Sequence, residues 1–396
     1  MAIENTLTDP YLLACALTII LKNYHLKQTH VLTLRLVCKS WGPVLRRFPL
    51  KVKAYTPSEL DDVCSLRSTL KITEIAYCHY NCYPYPYNIA YVTHLIYNRV
   101  FHTCKVYDFP LGSITKITLP DHYNYPLEGN VEVAEGEIPL GLGYYVVPSR
   151  IPDTITEIVF GTSFNQSLDL LPPNLTHLTL GRMFTHSIDN LPKCLTHLTF
   201  TRTYNKNLVY NASFNREINS LPQSLTHLVL GNRFDKGVDS LPKTLKYLSF
   251  GEVFDQDVNH LPQALINLSF GRRFNKRVDS LPPNLKYLSF GISFDQKVDS
   301  LPQTLLHLTF GWNFNQEVNH LPPSLTHLTF GMCFRKPIDN LPNSIFFLKY
   351  HHVPIPPIIS LPKSLVFFET NRAVTFNTDM IPDNVIHRRC EGFGEY

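Results

Sequence analysis

The sequence predicts an α+β chain: a small helical domain at the N-terminus, then a long β-solenoid of about twenty-residue coils with a parallel sheet on its concave side. Three observations predict it. Nearly identical stretches follow one another without drift in spacing: LPQALINLSFGRRFNKRVDS at 261–280, LPPNLKYLSFGISFDQKVDS at 281–300 and LPQTLLHLTFGWNFNQEVNH at 301–320. Within each stretch, apolar and polar residues alternate over four positions, which is the periodicity of a half-buried strand. Ahead of the repeats, Leu12, Leu13, Ala16, Leu17, Ile20 and Leu21 fall at helical spacing.

In chain order, residues 1–54 form the helical domain. Asp9 is placed to cap a helix with Pro10 in its first turn. A second amphipathic run, VLTLRLVCKSWGPVL (31–45), halts near Gly42-Pro43. Residues 55–150 are early, degenerate coils. ITEIAY (72–77), VTHLIYNRVF (92–101) and ITKITLPDHYNYPL (114–127) each match part of the repeat, and the solenoid is expected to start near residue 68. Residues 128–150 are irregular, either a degenerate unit or a loop. Regular coils and a C-terminal cap fill 151–396, with units opening at 151, 171, 191 and 221, then every twenty residues to a weak one at 381.

We number each unit from its Leu-Pro as slots 1 to 20. Slot 5 carries Leu175, Leu195, Leu225 and their successors, slot 8 Leu, slot 10 Phe or Leu, slot 14 Phe and slot 18 Ile, Val or Leu. These positions are the expected core. Slots 7 to 10 alternate outward and inward and form the strand. One unit buries too little to fold by itself, so stacking must supply the rest. A twenty-residue coil has no room for an ordinary helix beside its strand and turns, and the slot-2 prolines must lie off the ladder. Gly at slot 11, as in Gly251 and Gly271, is expected to end the strand with a sharp turn or a positive φ. Asp or Asn at slot 19, as in Asp239 and Asp299, is expected to bond its own turn backbone. Because it recurs in every unit, it reads as structural and not as a catalytic carboxylate. Slot 11 is Thr201 where ten extra residues follow; TRTYNKNLVY (201–210) reads as a half-unit insertion, either bulging from an edge or forming a shortened coil.

Composition narrows the function. A formal net charge of +4 on 396 residues gives no strong pull toward nucleic acid or anionic membrane. Nine cysteines that do not recur with the repeat argue for free thiols in a reducing compartment. YLLACALTIIL (11–21) is too short to span a bilayer, and Glu4 and Asp9 precede it without Lys or Arg, so it is not read as a secretion signal.

The order Leu-Pro-x-x-Leu-x-x-Leu-x-Phe resembles leucine-rich repeats. The SLTHLTFG and FNQ wording is closer still to FNIP repeats, a leucine-rich-repeat relative found in proteins of amoebae and giant viruses. This resemblance covers roughly residues 68–390. At the N-terminus, LRLVCKSW (34–41) resembles the second half of an F-box. That resemblance implies docking on a Skp1-like adaptor through Pro10, Leu12 and Leu13, with Leu36, Val37 and Trp41 as shared core and docking surface. Asp9 stands where that family carries Leu. The alternative is a plain helical cap on the first coil.

The remaining candidates are binding residues. Slot 7 reads His177, His197, His227, Tyr247, Asn267, Tyr287, His307, His327 and Phe347. In register, these form a ladder suited to protein recognition. A histidine ladder could also hold metal, but Tyr and Asn interrupt it and no carboxylate sits nearby to orient the rings. Cys78, Cys82, His102 and Cys104 are loosely zinc-like in spacing, and free thiols are the expected reading. Arg272, Arg273, Lys276 and Arg277 make a basic patch that Glu252, Asp255 and Asp257 should partly neutralise. No phosphate-cradling glycine loop or nucleophile elbow is present. The expected protein is therefore a non-enzymatic monomer without cofactor or metal, located in the cytoplasm (a host's, if viral). Its expected role is the substrate receptor of a Skp1–cullin–F-box ubiquitin ligase, with an unknown target protein on the solenoid. The alternative is a stand-alone scaffold or decoy.

Overall fold

The computed structural model describes the strands at 50–54, 72–77 and 94–97, together with residues 115–119, 121, 123–124, 127, 151, 153–202, 214–350, 360–371, 381 and 384–390. The chain divides into two compact units, Met1–His186 and Ser187–Tyr396. Among the described residues every regular element is a strand and none is a helix. The predicted N-terminal helices lie outside the described residues.

In the first unit, β1 (Leu50–Ala54), β2 (Ile72–Tyr77), β3 (His94–Tyr97), β4 (Lys116–Thr118), β5 (Glu157–Val159) and β6 (His177–Leu180) pair in chain order, all parallel. Among the described residues the first strand of the ladder is at Leu50, one coil ahead of the expected start near residue 68 and inside the 1–54 segment expected to be helical, so that boundary moves back to residue 49. LKVKA is too short a run for its alternation to stand out. Strand β5 pairs directly with β4 although forty-one residues separate Lys116 from Glu157. The degenerate coil at 114–127 nevertheless obeys the repeat: Leu127 is buried in slot 18, and Tyr123 in slot 14 stacks on Phe164 at 6.1 Å.

In the second unit, β7 (His197–Phe200), β8 (His227–Val229), β9 (Tyr247–Ser249), β10 (Asn267–Ser269), β11 (Tyr287–Ser289), β12 (His307–Thr309), β13 (His327–Thr329), β14 (Phe347–Tyr350), β15 (Phe367–Asn371) and β16 (Ile386–Cys390) form a parallel ladder in chain order. From β8 to β15 the register steps by twenty residues, as in Tyr247↔Asn267↔Tyr287↔His307.

Each coil turns three times. The slot-5 N–H closes on the slot-2 proline carbonyl, as Leu265 on Pro262 at 3.2 Å. The slot-14 N–H closes on the slot-11 glycine carbonyl, as Phe234 on Gly231 at 3.3 Å. The slot-1 N–H closes on slot 18, as Leu341 on Ile338 at 3.3 Å. These turns leave slots 1, 5, 8, 10, 14 and 18 inside, where they are buried coil after coil. Phenylalanines fill the centre: Phe270 stacks on Phe274 of its own coil at 3.7 Å, and Phe274 lies 6.1 Å from Phe294 of the next.

Slot 11 opens the sharp turn expected there, as Phe234 N–H on the Gly231 carbonyl shows, without the alternative of a positive φ, and its glycine also serves a close approach between coils. A Cβ on Gly271 would lie 1.8 Å from the carbonyl oxygen of Gly251, and none of these glycines is in the left-handed region. Slot-19 carboxylates also reach across to the next coil, a role the repeat did not announce. Asp339 Oδ1 accepts the N–H of Ser360 on the next coil at 3.0 Å, and His260 Nδ1 meets Asp239 Oδ1 at 3.2 Å. Asp169 instead takes the hydroxyl of Ser167.

The insertion at 201–210 leaves the ladder intact. β7 and β8 pair directly, His197↔His227, across thirty residues, so no coil of its own enters the sheet. Arg202 anchors its start, donating from Nε to the Leu230 carbonyl at 2.8 Å and from Nη2 to the Ser249 carbonyl at 2.6 Å.

Candidate functional site

The ladder hydrogen bonds fix which side chains meet on the outward face, because each slot-7 residue sits opposite its counterpart one coil on. In the first unit this row places Lys116, Glu157 and His177 side by side, and Lys116 pairs with Glu157 as an ion pair. In the second unit the rings stack. His197 lies 4.1 Å from His227 with 11° between planes, and His227 lies 5.8 Å from Tyr247. Asn267 interrupts the rings. The stack then resumes from Tyr287 to His307 at 4.7 Å, from His307 to His327 at 4.1 Å, and from His327 to Phe347 at 5.8 Å. The predicted slot-7 residues are therefore brought together within each unit, half-buried along the row and most exposed at Tyr287, 41%. Their faces are turned to one another, so they present edges outward. Slot 9 beside them carries short hydroxyl side chains such as Ser269, Ser289, Thr309 and Thr329.

A second set of residues, missed by sequence reasoning, aims the rings. Thr326 Oγ1 donates to the Leu306 carbonyl at 3.0 Å and lies 2.9 Å from His327 Nδ1. With its hydrogen committed, the hydroxyl accepts from Nδ1–H, and the neutral ring keeps Nε2 as its acceptor. Thr176 with His177 and Thr226 with His227 repeat the arrangement, and Thr196 lies 2.9 Å from His197 Nδ1. The signal was present as a Thr-His dipeptide, replaced by Lys-Tyr or Ile-Asn where the ring changes. His307 follows Leu306 and has no such hydroxyl before it. Burial, and then the neighbouring His327, holds its imidazole below the usual range.

Parallel stacked imidazoles point their Nε2 lone pairs side by side, not toward one point, so a stacked pair is a poor chelate. Among the described residues no group of three or more His, Cys, Asp or Glu side chains could hold a metal ion. The quartet Cys78, Cys82, His102 and Cys104 lies outside the described residues, as do Pro10, Leu12, Leu13, Leu36, Val37 and Trp41.

The FNIP Repeat family profile matches residues 147–183, 169–203, 210–253, 254–293, 277–313, 294–333 and 314–351, which together take in half of the chain. The chain belongs to the FNIP-repeat family. This FNIP-repeat protein is similar to a solved structure described as CroV588, a novel circular leucine-rich-repeat protein structure. The two share 29% identity at a TM-score of 0.56, over 83% of this chain and 58% of that one. The FNIP chain thus spans less than two thirds of that protein's length. It is also similar to YopM from Yersinia enterocolitica at 16% identity and a TM-score of 0.43, over 81% of this chain and 77% of that one. The functional domain of InlJ from Listeria monocytogenes matches at 14% identity and a TM-score of 0.34, over 57% of this chain and 62% of that one. No curated protein sequence matches the chain.

Proposed function

We propose that this FNIP-repeat protein is a non-catalytic protein-binding scaffold that holds a partner protein on the outward strand face. The observation that carries this reading is the aimed ladder: rings locked by stacking and by threonine hydroxyls, beside a shelf of short hydroxyls, on a backbone held by in-register hydrogen bonds. Such a face offers contact area and directed polar groups at little ordering entropy, which protein recognition rewards. At the finer level, we read the residues ahead of β1 as an F-box-like segment that docks a Skp1-like adaptor through Pro10, Leu12 and Leu13, so that the held partner is presented to a cullin ubiquitin ligase. We place the protein in the cytoplasm; the free thiols of Cys194 and Cys333 suit a reducing compartment.

Two measurements test the two levels. Crosslinking with mass spectrometry on the full chain should map partner contacts to the slot-7 and slot-9 residues. Replacing Tyr287 and His307 together by alanine should remove those crosslinks, with the circular dichroism spectrum unchanged. Crosslinks that persist on that variant overturn the face. Separately, Pro10→Ala with Leu13→Asp should abolish co-purification of the adaptor and cullin. Retention of both by the variant makes the N-terminal segment a cap and the protein a stand-alone scaffold.

A further inference from the structure

The strand face repeats too regularly to say which coils select a partner, but one row of turns does not repeat. Along slots 12 and 13 the backbones are tied coil to coil. The slot-13 N–H donates to the slot-12 carbonyl of the preceding coil: Arg273 to Glu252 at 2.8 Å, Ser293 to Arg272 at 2.8 Å, Asn313 to Ile292 at 2.9 Å and Cys333 to Trp312 at 2.9 Å. The slot-12 side chains therefore stand in one row at the coil spacing of ~4.8 Å. The row changes character along its length, from Arg272 through Ile292 and Trp312 to Met332. Arg272 and Arg273 are exposed, and so is Trp312, a large apolar side chain, at 37%.

The acidic coil before it neutralises the basic patch beside this ridge only in part, at Lys276. Asp255 gives Oδ1 to the Asn275 N–H at 2.8 Å, and its Oδ2 reaches only Lys276 Nζ, at 3.8 Å. Among the described residues, no ion pair reaches Arg272, Arg273 or Arg277. Arginine, tryptophan and methionine are the residue types enriched where interfaces carry their energy. Unpaired guanidiniums favour carboxylates, which they take in bidentate geometry. The patch is short. Glu252 and Asp257 precede it in slots 12 and 17, Ile292 and Glu317 follow, and Lys297 alone extends it by one coil. Its length suits one or two carboxylates and not a polyanion track.

We propose that a partner's acidic segment bearing an apolar anchor docks on this row, with carboxylates on Arg272 and Arg273 and the anchor against Ile292 and Trp312. The inference rests on the scaffold reading and names the coils and the chemistry by which a partner is selected.

The test is selection of twelve-residue peptides from an unbiased display library on the full chain and on two variants, Arg272→Glu with Arg273→Glu, and Trp312→Ser. All are exposed positions, and thermal melts establish that each variant is folded. Peptides rich in Asp and Glu around a Phe, Trp or Leu should be enriched on the wild type. Enrichment should fall about tenfold or more on either variant, the loss expected of a contact at the energetic centre of an interface. The inference is overturned if the selected peptides carry no acidic excess, if they persist on the charge-reversed variant, or if nothing is enriched. It is also overturned if a single-stranded oligonucleotide binds the wild type and is lost on charge reversal, which makes the row a phosphate site. Each of these outcomes leaves the scaffold reading standing as long as partner crosslinks still fall on the strand face; loss of those crosslinks defeats the broader reading instead.

Discussion

At the scale of single residues, position within the coil decides what a substitution does, and the glycines separate two cases. Gly271→Ala would put a Cβ 1.8 Å from the Gly251 carbonyl oxygen, a backbone atom that cannot swing away. The stack must part locally, which we expect to destabilise by about 2–3 kcal/mol, or roughly 5–10 °C in melting temperature. Gly237, in slot 17, would meet nothing within 4 Å, and Gly237→Ala should stay within about 0.5 kcal/mol of wild type. Equal effects in thermal melts would remove the close-approach account. The histidines supply a second residue-scale prediction. His307 is held below the usual imidazole range by burial and by His327 at 4.1 Å, so the unfolded chain takes up its proton first on acidification. Its contribution is therefore complete above the unfolded value of ~6.5 and is lost as pH falls through the lower folded value. The groups around it are Tyr287, His327 and, at the strand entry, Lys286, with no carboxylate in the slot-7 row from β11 to β14 to offset the charge. Asn267 proves that slot 7 accepts an amide, so His307→Asn should fold and lose less stability than wild type between pH 7.5 and pH 5. Identical pH profiles for the two proteins would count against the stack as the source.

At the scale of an element, the coil is held to its neighbours by a side-chain ladder that runs beside the strands. In slot 15 the Oδ1 of each Asn or Asp accepts the backbone N–H of slot 15 one coil on: Asp235 from Asp255 at 3.0 Å, Asp255 from Asn275 at 2.8 Å, Asn275 from Asp295 at 2.9 Å and Asn315 from Arg335 at 2.8 Å. Slot-16 glutamines add to it, Gln296 Nε2 reaching Asn275 Oδ1 at 3.1 Å. Asn275→Ala leaves the Asp295 N–H to water and should cost about 1 kcal/mol in urea unfolding. Asp235→Asn keeps the acceptor and removes a carboxylate beside Asp255, so it should be neutral or stabilising, with less dependence on salt. A loss as large as that of the alanine variant would mean the carboxylate charge, and not the acceptor, carries slot 15. This ladder also shows where sequence reading stops. A residue that recurs every twenty positions can serve its own coil or the next one, and recurrence alone does not distinguish them. Gly251 and Asp239 were legible as special positions, but the reason each recurs lies one coil away.

At the scale of the whole molecule, the strands at slots 7 to 9, the buried slots and, among the described residues, coils without an ordinary helix were all legible, because each follows from alternation and length within one unit. The outward ladder was legible as a list of residues, whereas the aiming of its rings by Thr176, Thr226 and Thr326 depends on hydrogen bonds to a preceding coil. The insertion at 201–210 shows what the fold holds constant: His197 still meets His227 although thirty residues intervene. The conserved quantity is the register of the ladder and not the length of chain between strands. Stability in such an array is approximately a sum of coils and of the interfaces between them. Residues 261–280 make one complete coil whose strand pairs in the same register with Tyr247 before it and Tyr287 after it. Deleting those twenty residues sets Gly291 over Gly251, Phe294 on Phe254 and the Asp295 N–H on Asp255, each a contact the unit already makes elsewhere. The shortened protein should fold, with an unchanged strand signature by circular dichroism and a lower melting temperature. Deleting 261–270 instead removes β10 and leaves the turn at Gly271 behind without its strand, and this variant should lose its cooperative transition. Failure of the full-coil deletion to fold, or cooperative melting of the half-coil deletion, would contradict a stack of equivalent coils. Because Arg272 and Arg273 leave with the deleted coil, the folded twenty-residue deletion should also fail to enrich acidic peptides while its remaining slot-7 rings stay in register.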